Sequence, residues 1–194
     1  MTRPDAPSAL LAALYAEDVR EHGAVPPAGT PEYRALRERD RERRAHVEIA
    51  LDALHAPGGA SPDGPSPDDL FHAAWLFNHG ETPADARRGH ELAHEAAQRG
   101  HRRARWLAAA AFDRWCMYEG RPQKYGTQFV PDGRRFRLWD LDPATNDAER
   151  AAWDVPPLAE QLRRADALTC TESQPPLAEA PGWLRAALAR WRSA

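Results

Sequence analysis

A chain of 194 residues is long enough to bury roughly 70% of its extended surface around one core, and too short for two sizeable domains. Its net charge of −3 comes from interspersed acids and bases, which argues against the one-signed basic stripe that nucleic-acid phosphates require, so no nucleic-acid partner is expected. Two cysteines give no disulfide framework, no run approaches 18 apolar residues and the N-terminus has no apolar leader, so the chain is expected to be cytoplasmic, without a membrane partner.

Residues 8–22 form an amphipathic helix with Leu10, Leu11, Leu14 and Tyr15 on one side and Gly23 as its stop. Thr30-Pro31 starts a second, longer helix running to about His55, with Thr as N-cap and Pro at the first helical position. Its first half, dense in Arg and Glu from Arg37 to Arg44, is expected to be a solvated face, and its second half to pack. Residues 56–67 are rich in Pro, Gly and Ser and read as a loose connection. The expected organisation is therefore a helical pair in 1–55, a linker over 56–67 and a main helical body in 68–194, all within one compact domain.

Ser66-Pro67-Asp68-Asp69 and Thr82-Pro83-Ala84-Asp85 are two capping-box starts, followed by helices that end at Gly80 and Gly100. A third helix ends at Gly120, so three stops fall twenty residues apart, the punctuation of stacked helical hairpins. Beyond it, Pro131-Asp132-Gly133 between TQFV and RRFRLWD predicts a small β-hairpin, which needs helices to lean on. ATNDAERAAW, PLAEQLRRADAL and GWLRAALARW complete the helices; the last has a stripe of Trp183, Leu184, Ala187, Leu188 and Trp191, which suits core packing first and oligomerisation through the C-terminal helix second. The predicted fold class is mainly α, about seven helices in helical-hairpin packing, with one β-hairpin after the central helix.

That central helix draws the functional reading. From Leu107 to Tyr118 its only charges are Asp113 and Arg114, and neither has an evidently wet face. An uncompensated charge in a core costs about 3–5 kcal/mol, so other polar groups must converge there. The loop that follows, GRPQKYGTQF, supplies candidates: Gln123, Tyr125, Thr127 and Gln128 around a permissive Gly126. Arg114 suits an anion clamp, and His79 and Asp113 suit a base and its orienter. Cys116, inside the apolar helix, reads as inert.

Two resemblances follow from these residues. Residues 93–120 are similar to one unit of the Sel1-like subset of tetratricopeptide-type repeats, matching at Ala97, Gly100, His101, Ala104, Leu107 and Gly120. One unit implies helical-hairpin packing and not a free-standing solenoid. Residues 70–160 resemble a bacterial family of uncharacterised function, marked by DR followed shortly by PQ-x-YGTQ, matching at His79, Asp113, Arg114, Gln123, Tyr125, Gly126, Thr127 and Gln128, with a downstream arginine at Arg150. A bacterial source, which the Ala, Arg and Pro content also suits, and a site at these positions are what that resemblance implies, without a reaction.

A competing motif is His90-Glu91-Leu92-Ala93-His94, a literal H-E-x-x-H that on a helix presents two imidazoles to a zinc ion with the glutamate as base. His90 falls at the edge of the helix's apolar side and His94 on its flank, and no third ligand follows at a fitting spacing. Zinc hydrolysis through His90, Glu91 and His94 is thus the second alternative. The first alternative is a helical interaction module without chemistry. The leading expectation is a polar pocket of His79, Asp113, Arg114 and the QKYGTQ loop, with Arg150, that binds and transforms a small polar metabolite or peptide side chain by acid–base chemistry without a metal or other cofactor.

Overall fold

The computed structural model describes residues 7–56, 63–177 and 180–193. It is mainly helical: α1 Pro7–Glu21, a 3-10 turn His22–Ala24, α2 Pro31–His55, α3 Pro67–Asn78, α4 Pro83–Gln98, α5 Arg102–Tyr118, the hairpin strands β1 Phe129–Pro131 and β2 Phe136–Leu138, then α6 Asp147–Ala152, α7 Leu158–Thr171 and α8 Gly182–Ser193. Part of the expected linker, 57–62, lies outside the described residues. No helix among the described residues is long and apolar enough to cross a membrane.

The starts follow their caps. Thr30 accepts from the Tyr33 amide ahead of α2, while Ser66 with Asp69 and Thr82 with Asp85 form reciprocal capping boxes on α3 and α4. The stops differ in kind. Gly100 and Gly120 have φ of 94° and 73°, the left-handed conformation that ends a helix. Gly80 does not take that conformation; a Cβ there would fall 2.1 Å from the Asp85 Cβ, so glycine is required because the α4 capping carboxylate sits against its backbone.

One hydrophobic cluster joins Leu11 and Leu14 of α1, Val47, Leu51 and Leu54 of α2, Leu70, Phe71 and Leu76 of α3, Leu92 of α4 and Leu107 of α5. The N-terminal pair therefore shares its core with α3–α5. The expected solvated face of the α2 charge run is found at Glu38, Arg39, Arg41 and Glu42, which are exposed, but Asp40, Arg43 and Arg44 correct it: with Leu36 and Val47 they recur at helical spacing and are buried. That stripe carries charges inward because Arg43 meets Glu21 of α1, Arg44 meets Asp85 of α4 and Asp40 meets His22 as well as Arg37 and Arg43, partners that the sequence of α2 alone does not fully reveal.

A second cluster places Leu184, Ala187 and Leu188 of α8 against Met117, Val130 and Trp139, so the C-terminal stripe packs inward on α5 and the hairpin. The strands pair antiparallel, Phe129 with Leu138 and Pro131 with Phe136, and the Asp132 carboxylate accepts from the Arg134 and Arg135 amides to close the turn. The hairpin leans on helices as two strands must. Phe136 N–H donates to Thr169 Oγ1 on α7 at 2.9 Å, and Gly133 N–H donates to Gln174 Oε1 at 3.1 Å.

Candidate functional site

Asp113 and Arg114 are consecutive on α5, so their side chains leave the helix about 100° apart. The structure sends them to different places. Asp113, fully buried, accepts from the Lys124 amide at 2.8 Å, from the Tyr125 amide at 2.9 Å, and from the Thr127 amide and hydroxyl at 2.9 and 2.8 Å. Burial pushes its carboxyl above the usual range, against the pull of the Tyr125 amide, the Thr127 amide and hydroxyl and the Lys124 amide. Both oxygens meet only donors, so the network is built for the ionised form.

The remaining loop groups close on one another. Gln123 Nε2 donates to the carbonyls of Gln128 and Trp139, and its Oε1 accepts from the Gln128 amide. Gln128 Nε2 donates to the Ala110 carbonyl and to Thr127 Oγ1. Arg150 Nε donates to the Tyr125 carbonyl at 3.0 Å, with Asp147 as its ion-pair partner. Gly126, at φ 84°, makes the bend that turns three amides onto one carboxylate. The structure thus joins Asp113, Gln123, Tyr125, Thr127, Gln128 and Arg150, but as a closed network that fixes the loop to α5. This corrects the expectation of an open pocket there, and the physical reason is that the loop backbone supplies enough donors to satisfy Asp113 completely.

Arg114 and His79 face a different space. A cleft of about 690 Å³ is lined by the polar His22, Tyr33, Arg34, Arg37, His79, Glu81, Arg114 and Tyr118 and by the apolar Pro131, Leu177, Trp183 and Leu184. The Nε of Arg114 is buried with no hydrogen-bond partner among the described residues. Tyr118 lies one turn on along α5 and donates from its hydroxyl to the Gly80 carbonyl at 3.0 Å, fixing the α3–α4 turn to α5. Arg37 steadies the same turn by donating to the His79 carbonyl, and pairs with Asp40 at 2.8 Å and Glu81 at 3.0 Å.

The carboxylate beside His79 is Asp18, not Asp113. His79 Nδ1 lies 2.9 Å from Asp18 Oδ2, and its ring stacks on His22 with centroids 4.0 Å apart. His22 Nε2 is 3.2 Å from Asp40 Oδ1 and 3.5 Å from Asp18 Oδ1. Burial lowers the His79 pKa below its ordinary value, a shift that Asp18 opposes, so the ring is neutral near pH 7. For Asp40, burial alone would raise the pKa, but the hydrogen bond to His22 and the charge of Arg37 hold it below the usual range. Sequence reasoning missed Asp18, His22, Asp40 and Arg37. The one available signal was Asp18 and His22 four apart on a helix, a spacing that more commonly marks a surface pair.

His90 and His94 stand with ring centroids 5.7 Å apart, but among the described residues no third metal-ligating side chain joins them. His90 Nδ1 is 2.9 Å from the Ala108 carbonyl and its ring meets Phe112, His94 packs on Trp153, and Glu91 pairs with Arg87. Among the described residues, a His/Asp group of three with ligand atoms close enough for one metal is found at Asp18, His22 and His79. Burial pushes the Cys116 thiol up to about 11, in keeping with an inert side chain. No family model, curated protein or solved structure matches the chain.

Proposed function

We propose that the cleft between the α3–α4 turn, α5 and α8 binds a small anionic molecule carrying a carboxylate or phosphate group, with Arg114 as its clamp. The observation that carries this reading is a guanidinium whose buried Nε has no partner among the described residues, beside a neutral imidazole, in a space large enough for a metabolite. A planar fork of donors suits a bidentate oxyanion, and an occupant of that kind satisfies the nitrogen that no described residue pairs. His79 adds a ring able to accept a proton or to bind a metal. The apolar wall of Leu177, Trp183 and Leu184 gives the occupant's carbon skeleton a surface to cover.

The test is a titration of the full chain with inorganic phosphate, phosphomonoesters and small dicarboxylates, followed by calorimetry. Arg114→Leu is expected to weaken binding by about 10- to 100-fold, the loss of one charge-assisted contact of about 1.5–3 kcal/mol. The variant should keep its helical circular dichroism. Equal affinity in wild type and variant would remove the cleft as an anion site.

A further inference from the structure

Asp18 and His22 stand one turn apart at the end of α1, and His79 caps the end of α3; their ligand-capable atoms all lie within 4.8 Å of one another. Asp18 is 1% exposed. Its Oδ2 accepts from Trp75 Nε1 at 3.0 Å, which orients the carboxylate, but its Oδ1 is buried with no hydrogen-bond partner among the described residues. His79 Nδ1 is likewise buried and unbonded: it is close to Asp18 Oδ2 without the alignment of a hydrogen bond. Leaving such groups unsatisfied costs about 1–3 kcal/mol each, so this corner of the protein holds two unsatisfied ligand-capable atoms, with His22 Nε2, bonded to Asp40, beside them.

The neighbouring arginines do not fill the gap. Arg43 Nη1 is 3.0 Å from Asp40 Oδ1 but 3.8 Å from Asp18 Oδ1, and its other nitrogens face Glu21 and Glu17. Arg37 is committed to Asp40 and Glu81. Asp40 therefore has two cations of its own, and it can release His22 without being left bare.

We propose that Asp18, His22 and His79 bind one divalent transition metal ion of the zinc class, with its open coordination positions turned to the cleft that both histidines line. Two imidazoles and a carboxylate suit zinc and its first-row neighbours, whereas magnesium and calcium prefer oxygen alone. Bonds of about 2.0–2.1 Å in tetrahedral geometry set ligand atoms about 3.3–3.4 Å apart. His22 Nε2 lies 3.5 Å from Asp18 Oδ1 and His79 Nδ1 2.9 Å from Asp18 Oδ2, and the three ligand atoms lie within 4.8 Å of one another, so rotations of the rings and the carboxylate complete the site. Three protein ligands leave a position for water or an anion's oxygen, the arrangement of catalytic rather than structural zinc. Trp75 then serves as the group that holds the ligating carboxylate in place. This deepens the anion-cleft reading and rests on it for what the open position meets.

The experiment titrates chelator-stripped full-length protein with zinc alone against a chromophoric competitor. Saturable binding of one equivalent is expected. His22→Ala should weaken it by more than 10-fold, the least that loss of even an outer-shell partner costs, while the double variant His90→Ala, His94→Ala binds as wild type does. Because His79→Ala risks the α3 end, cobalt substitution of the wild-type protein serves as a second measure, and tetrahedral d–d absorption is expected. Absence of saturable zinc binding, zinc affinity unchanged by His22→Ala, or loss of binding through His90 and His94 each overturns the proposal. A parallel phosphate titration in EDTA separates the two readings. Phosphate binding that Arg114→Leu abolishes keeps the cleft even where zinc fails, and zinc binding without phosphate binding keeps the metal and removes the clamp.

Discussion

At Asp113 a single carboxylate answers four donors drawn from a four-residue stretch of loop. Replacing it by alanine leaves buried amides and a hydroxyl without acceptors, and packing offers no substitute. Asp113→Ala is therefore expected to lose about 3–5 kcal/mol, measured by urea denaturation, whereas a surface aspartate changes stability by well under 1 kcal/mol. A loss below about 1 kcal/mol would mean that the loop is held elsewhere. The sequence made it legible that Asp113 and Arg114 were charges in an apolar helix, and the expectation that YGTQ would gather around both holds for Asp113. It could not show that neighbours on a helix serve separate purposes, because which face of α5 meets the loop and which meets the α3–α4 turn depends on tertiary packing.

Among the elements, the caps, the glycine stops and the hairpin turn were readable because each is set by interactions within a few residues. The buried Asp40 and Arg43 of α2 were not, since a charged residue at helical spacing looks the same whether its partner is water or another helix. The hairpin is also more than an ornament on α5. A Cβ at Gly133 would lie 2.8 Å from Leu177 Cδ1, and φ there is 90°. Gly133→Ala must strain the turn by roughly 1–2 kcal/mol and push Leu177, which lines the cleft, away from the strands. Lower thermal stability together with weaker phosphate affinity is expected, read by a melting curve and the same calorimetric titration. Unchanged affinity would show that the Leu177 wall does not contribute to binding.

For the molecule as a whole, pH acts through histidines held neutral. Burial lowers His72 and His90 below the ordinary 6.5. Unfolded, both take up protons near 6.5; folded, they do so only at lower pH. Their contribution to stability is therefore fully present above about 6.5 and is lost as pH falls below it towards the folded values. The melting temperature should drop between about pH 8 and pH 5.5, and it should drop less in the double variant His72→Gln, His90→Gln. An identical pH slope in the double variant would show that other groups carry the effect.

Pro175, Pro176 and Leu177 after α7, and Trp183 and Leu184 of α8, line the same cleft as Arg114 and form a wall of it. A protease that nicks the Glu172–Gln174 connection would leave this wall tethered only by α8. An occupant that touches both walls resists that separation. Bound anion should consequently slow cleavage at this connection, and the digestion rate becomes a ligand assay that needs no knowledge of the chemistry inside.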